Sequence, residues 1–134
     1  MDLDKLYEDL IKSGYNFFTG VPDSGLKTFQ NLIEDSEHKN IIATHESQAL
    51  AIAFGASLAG KKTCVYLQNS GLGNIINPLT SLCMVFDVKP FLVIGHRHTL
   101  PQHKVMGEID ESLMRLIGYG EENYLIYHGE NNVK

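Results

Sequence analysis

This sequence is short of the residues that staple chains or bind metals. It holds two cysteines, Cys64 and Cys83, and no tryptophan in 134 residues. The cysteines form no Cys-x-x-Cys pair and no cysteine–histidine spacing that suits zinc, which excludes a zinc ribbon and a disulfide scaffold. Both lie in apolar stretches, so buried reduced thiols are expected. Positive charge is scarce as well. Eleven lysines and arginines stand against 16 acidic residues, for a net charge of -5 and a pI near 5.6. That balance argues against nucleic acid or an anionic membrane surface as a partner. No apolar run approaches the roughly 20 residues of a membrane span. Met1 to Asp9 is acidic and amphipathic, unlike a signal peptide, so a cytoplasmic protein is expected. There is no internal repeat, low-complexity tract or interior linker.

What is present is one domain's worth of chain, enough to bury a core without staples. Leu3, Leu6, Tyr7, Leu10 and Ile11 recur at helical spacing and predict a helix near Asp4 to Lys12, ended by Gly14. Asn16 to Thr19 reads as a strand and Gly20 to Gly25 as a loop. Leu26, Phe29, Leu32 and Ile33 mark a second helix. Asn40 to Thr44 reads as a short buried strand, Glu46 to Ala59 as an alanine-rich helix, and Thr63 to Leu67 as a strand. After the loop Gln68-Asn69-Ser70-Gly71, a helix is expected from Gly73 to Leu82, bent or begun near Pro78. Pro90 to Ile94 is a further apolar strand, Gly95 to Gly107 a long polar loop, Ser112 to Ile117 a helix and Tyr124 to Tyr127 a last strand. Alternating strands and helices predict an α/β fold: a mainly parallel sheet with helices on both faces.

In such sheets ligands bind beyond the carboxyl ends of the strands. Four polar clusters fall there: Asp23-Ser24, His45-Glu46, Gln68-Asn69-Ser70, and Gly95-His96-Arg97-His98. Glu46 opens a helix, where an acidic residue also suits the helix dipole. The alanine-rich helix has two faces of small residues. Ala49, Ala53 and Ala56 suit close packing on the sheet, and Ala51, Gly55 and Ala59 would let a second helix approach. Plain helix propensity is the alternative. Gly71-Leu72-Gly73-Asn74 matches neither the dinucleotide fingerprint nor a P-loop, so Gly71 and Gly73 are expected to permit positive φ and a close approach of backbone to ligand. The stretch from His96 to Lys104 collects His96, Arg97, His98, His103 and Lys104 into a local positive patch. It reads either as a solvated loop or as recognition of an anionic substrate with proton transfer by a histidine. A metal site is not expected, because no carboxylate ligand follows before Glu108.

Taken together, these segments resemble the pyrimidine-binding domain of thiamine diphosphate-dependent decarboxylases, nearest to 3-phosphonopyruvate decarboxylase and the alpha subunit of sulfopyruvate decarboxylase. The likeness rests on Gly20-Val21-Pro22-Asp23-Ser24, Thr44-His45-Glu46-Ser47-Gln48-Ala49, the run Tyr66 to Asn74 with Asn77 to Leu82, and Ile94 to Arg97 with Pro101-Gln102-His103 and Met106-Gly107. It runs from about Leu6 to Ile117. The Gly-Val-Pro-Asp-Ser run favours the phosphonopyruvate branch.

The resemblance implies a thiamine diphosphate-binding fold and places Glu46 on the ring nitrogen of the cofactor's aminopyrimidine. A carboxyl there supplies the proton that primes the cofactor, which carries the hard chemistry. The same likeness implies cofactor contacts from Gln68 and Asn69, with Pro22 and Gly71 expected beside them, and substrate contacts from Asp23, Ser24, His96 and Arg97; the positive patch adds His98, His103 and Lys104 to the expected substrate contacts. The family holds the cofactor diphosphate through Mg²⁺ with a Gly-Asp-Gly motif and a later asparagine. This sequence has no Gly-Asp-Gly, and Asn131-Asn132 have none upstream. The expectation is therefore one pyrimidine-binding domain over residues 1–134. A diphosphate-binding subunit or domain would complete it in a homo- or hetero-oligomer, with Mg²⁺ on the partner. The substrate is expected to be a small anionic 2-oxo acid, 3-phosphonopyruvate first and sulfopyruvate as the alternative. A non-catalytic role, in assembly or in binding an anionic metabolite, is a further alternative. The Gln-Asn-Ser-Gly-Leu-Gly-Asn run points away from a transketolase-type enzyme.

Overall fold

The computed structural model describes residues 1–129. Asn131 and Asn132 lie outside them.

Helix α1, Leu3–Lys12, opens where the Asp2 side chain accepts from the Lys5 backbone N–H at 2.7 Å, and it buries Leu3, Leu6 and Leu10. Strand β1, Phe17–Gly20, is buried throughout. A 3-10 turn at Ser24–Leu26 leads into α2, Lys27–Glu34. Strand β2 is Lys39–Ile42 and helix α3 is Glu46–Leu58. Strand β3, Thr63–Gln68, passes through a 3-10 turn at Asn69–Gly71 into α4, Leu72–Pro78, which runs on as a π-helical turn at Leu79–Cys83. The expected bend at Pro78 is thus a change of helical pitch. Strand β4 is Phe91–Gly95, helix α5 is Pro101–Ile117, and β5 is Tyr124–Tyr127.

All strand pairs are parallel, in the order β2-β1-β3-β4-β5. Side chains alternate between the two faces, as a pleated strand requires. Phe18, Cys64, Tyr66, Val93 and Tyr127 meet α1 and α2 on one face. Val65, Leu67, Leu92 and Ile94 meet α3, α4 and α5 on the other. The α/β expectation, with helices on both faces, is the observed fold. The strand order reverses between β1 and β3, so the crevice beyond their carboxyl ends is where such sheets bind ligands.

Two sequence expectations are corrected. The strand over Asn40 to Thr44 is not buried: β2 is the sheet edge, and Ile42 is 54% exposed. Apolar content predicts burial, but it does not distinguish a central strand from an edge strand. Gly95 to Gly107 is not one long loop either, because α5 begins at Pro101, whose fixed φ suits the first helical turn. Gln102 and Lys104 lie on the solvent face of this amphipathic helix, whose other face carries Met106, Leu113 and Met114. Gly118, at φ 72, ends it.

Cys64 and Cys83 are free and buried, as expected. Burial pushes the Cys64 thiol up strongly and the Cys83 thiol up to about 11, so both are inert thiols rather than nucleophiles. No helix among the described residues is long and apolar enough to cross a membrane.

Candidate functional site

All four clusters lie at the carboxyl ends of their strands. Glu46 is the first residue of α3. His45 caps that helix by accepting from the Ser47 backbone N–H through Nδ1 at 3.1 Å. The Glu46 side chain crosses to α4, where Oε1 accepts from Asn74 Nδ2 at 2.7 Å. Ser47 Oγ donates to the Asn74 carbonyl at 2.8 Å, so two bonds staple the start of α3 to α4. Beneath the carboxylate lies Gly71. A Cβ added there would stand 2.5 Å from Glu46 Cγ and 3.1 Å from Oε2. The reason for glycine is therefore steric. Gly71 has φ -76, and neither it nor Gly73 adopts positive φ, which corrects the backbone argument made from the sequence.

The turn after β3 connects this carboxylate to a second group of residues. Gln68 Nε2 reaches Asp23 Oδ1 at 3.4 Å, and Ser70 Oγ donates to Gln68 Oε1 at 2.6 Å. Asp23 is buried and pairs with Arg97, Nη2 to Oδ1 at 2.9 Å. Arg97 Nη2 also donates to Ser24 Oγ. The Asp23 backbone N–H donates to Gln30 Oε1 at 2.8 Å. A Cβ on Gly95 would lie 2.5 Å from Asp23 Oδ2, so the end of β4 is bare where this carboxylate rests. Asp23 Oδ2 and Arg97 Nε are buried without a partner among the described residues. Arg97 thus clamps the loop after β1 to the loop after β4, while no described residue bonds its Nη1.

Asn69 is fully buried. Its Nδ2 donates to the Arg97 carbonyl at 3.0 Å and to Asp110 Oδ2 at 2.9 Å. Asn69 thus ties the turn after β3 to the loop after β4 and to α5. His96 Nδ1 lies 2.7 Å from Asp110 Oδ2, and the His96 ring packs 4.2 Å from that of His128. Asp110 and His128 were missed by the sequence reading. Asp110 fell just past a stretch read as loop, although as the lone acid on the buried face of α5 it broke the apolar pattern.

The positive patch dissolves in three dimensions. Arg97 faces Asp23, His96 faces Asp110, and His98 Nε2 lies 3.9 Å from Glu108 Oε1. His103 and Lys104 sit in the first turn of α5 rather than in a loop, with Lys104 exposed and His103 half-buried. Pro22 and Ser24 are exposed. A shallow cavity of about 100 Å³ lies among Gly25, Gly95, His96, Arg97, Tyr127 and His128. A larger one of about 360 Å³ lies on the other side of His96, among His98, Glu108, Asp110, Arg115 and His128. No group of residues that could hold a metal ion occurs among the described residues.

Several known proteins have sequences similar to this one. Over 116 residues the chain is 43% identical to the sulfopyruvate decarboxylase subunit alpha of Methanocaldococcus jannaschii, a match that covers 81% of this chain and 68% of that one. Over 109 residues it is 38% identical to the phosphonopyruvate decarboxylase of Streptomyces viridochromogenes, covering 77% of this chain and 28% of that one. Among solved structures, the 2-oxoglutarate:ferredoxin oxidoreductase from Magnetococcus marinus has a similar fold. The TM-score is 0.64 at 19% identity, over 75% of this chain and 18% of that one. No family model matches the sequence.

Proposed function

This chain belongs to the family of sulfopyruvate decarboxylase alpha subunits and phosphonopyruvate decarboxylases, and on that basis we propose that it supplies the glutamate-bearing half of a thiamine diphosphate site. The observation that carries the reading is the Glu46 carboxylate. Asn74 holds Oε1, Gly71 leaves room beneath, and Oε2 has no bond from a described residue. A carboxylate fixed at one oxygen and open at the other fits a ring nitrogen of an aminopyrimidine. Bound there, thiamine diphosphate would act as the electron sink for loss of carbon dioxide. Glu46 would hold a proton at the ring nitrogen. Pro22, Gln68 and the turn at Gly71 would line the approach to it.

The substrate in this reading is a 2-oxo acid with a second anionic group: 3-phosphonopyruvate, giving phosphonoacetaldehyde, or sulfopyruvate, giving sulfoacetaldehyde. Arg97 Nη1, with the Ser24 hydroxyl and the start of α5 bearing His103 and Lys104, would meet the phosphonate or sulfonate. His96 and His98 would handle protons beside it.

A second subunit or domain would bring Mg²⁺ and the diphosphate site. Two observations support that. The cavities beside Arg97 and His96 do not extend to Glu46. The outer face of α3, which starts at Glu46, is also uncovered: Ala51, Gly55 and Leu58 are exposed, and Phe86 beside Phe54 is 63% exposed. A helix apolar on all sides is normally buried, so this face suits a partner.

The deciding experiment is reconstitution. The 134-residue chain alone is expected to fold and to show no turnover on either acid. Adding a subunit that carries Gly-Asp-Gly, with thiamine diphosphate and Mg²⁺, is expected to give decarboxylation. Robust turnover by this chain alone would refute the half-site.

Arg97→Ala tests the substrate contact. Because Asp23 already neutralises part of the guanidinium, kcat/KM for the doubly anionic acids is expected to fall roughly tenfold, about 1.5 kcal/mol. Activity on pyruvate is expected to change less. Equal losses on phosphonopyruvate, sulfopyruvate and pyruvate would leave Arg97 only its clamp.

A further inference from the structure

We infer that Asp110 is a positioning residue that fixes the tautomer of His96, making Nε2 the atom through which His96 exchanges protons. The inference deepens the reading above, which makes His96 a proton-handling group. It follows from a chain of donors and acceptors that starts at the backbone. The Arg97 carbonyl is an acceptor only, so the Asn69 side-chain atom 3.0 Å away is the amide nitrogen. That nitrogen also donates to Asp110 Oδ2 at 2.9 Å. The other oxygen, Oδ1, faces the Glu111 backbone N–H at 2.7 Å. Asp110 is 1% exposed, and donors meet both of its oxygens, which is the setting of an acceptor-only carboxylate. His96 Nδ1, 2.7 Å from the same Oδ2, must therefore carry the hydrogen, since two lone pairs do not share so short a contact. When His96 is neutral, the lone pair is on Nε2.

The surroundings hold the ring in this orientation. The His96 backbone N–H donates to the Tyr127 carbonyl at 2.8 Å, anchoring the residue to β5. The His128 ring packs against the imidazole at 4.2 Å, and the His98 ring is stacked at 6.1 Å. The His96 side chain is 11% exposed, and nothing among the described residues bonds its Nε2. An imidazole pinned at one nitrogen and unclaimed at the other is arranged for proton exchange at a single atom.

Converting a 2-oxo acid to an aldehyde and carbon dioxide takes up one proton. The bond between the carbonyl carbon and the carboxylate breaks, and its electron pair ends in a new C–H bond. The Nε2–H of a protonated His96 supplies that proton. The ring returns to the neutral form with its hydrogen on Nδ1, already bound to Asp110, so delivery needs no reorientation. Solvent restores the proton on Nε2.

Nitrogen-15 spectra of the histidine rings in the full 134-residue chain test the tautomer without any turnover. The buffer should be alkaline enough for neutral imidazoles, and the His96 signals are assigned by their loss in His96→Asn. Expected are a protonated Nδ1 and a bare Nε2 in the wild type, and loss of that preference in Asp110→Ala. A proton on Nε2 in the wild type, or an unchanged preference in Asp110→Ala, would overturn the inference.

The second arm uses the reconstituted enzyme. Asparagine at position 96 keeps an N–H donor near the place of Nδ1 but has no Nε2. His96→Asn is expected to lower kcat about 100-fold with little change in KM. Wild-type turnover would reduce the Asp110–His96 bond to a structural rivet. Absence of decarboxylase activity in the wild-type complex would sink the functional reading instead, and the tautomer would still be decided by the spectra.

Discussion

Glu46→Gln is expected to lower kcat by at least about 100-fold, roughly 3 kcal/mol of barrier, in the complex with a diphosphate-binding partner. Glutamine has the same shape, and its carbonyl can still accept from Asn74 Nδ2, as Oε1 does at 2.7 Å. That bond then dictates the rest of the side chain. With the amide oxygen turned to Asn74, the NH2 group occupies the place of Oε2. A group that holds no transferable proton would face the cofactor ring where a carboxyl is required. The fold is expected to survive, because the residue is half-buried in a first helical turn and His45 caps the helix independently. Circular dichroism and thermal melting would check the fold, and kcat the chemistry. Turnover near the wild-type level would remove Glu46 from the mechanism.

Gly71→Ala is expected to cost about 100-fold in kcat through the same carboxylate, since a displacement of roughly 1 Å at a reacting group can cost that much. Backbone strain does not enter, because Gly71 at φ -76 and ψ -10 has a conformation that alanine adopts freely. The new methyl would lie 2.5 Å from Glu46 Cγ and 2.8 Å from Cδ, closer than carbon atoms approach. Glu46 is the more movable of the two, so its carboxylate is expected to shift and the chain to remain folded. A double variant separates this route from a general loss of stability. If both substitutions act through one carboxylate, Gly71→Ala combined with Glu46→Gln should be no slower than Glu46→Gln alone. Multiplying losses would mean that Gly71 acts elsewhere, for instance through the turn that carries Gln68.

The two substitutions differ in how far the sequence anticipates them. Glu46 is legible as the first residue after an apolar strand, opening a helix, within a recognisable run of neighbours. Gly71 stands out as a glycine between a strand and a helix, but the sequence assigns it the wrong reason. Which side chain would crowd a missing Cβ depends on the start of α3 lying beside the turn at Asn69–Gly71, with Glu46 and Gly71 25 positions apart in the chain. Asn74, which holds Glu46, is likewise visible only as part of a familiar run. Arg97 shows the same limit from the other side. Along the chain it belongs to a cationic patch, and in space His96, Arg97 and His98 each face an acid recruited from another element while Lys104 stays exposed.

The sequence by itself determined the fold class, because period-2 and period-3.6 patterns are local and each strand and helix carries its own. It also placed four polar clusters at the carboxyl ends of the strands, because each follows an apolar run directly. Tertiary structure alone decided which of those residues are open to a ligand and which are bound to one another. Asp23 with Arg97, Asn69 with Asp110, and Glu46 with Asn74 pair across 74, 41 and 28 positions. No periodicity reaches that far. Such pairs are chosen when the β1–β3–β4 register and the docking of α3, α4 and α5 bring strand ends together, where a buried charge must find a partner or go unpaired.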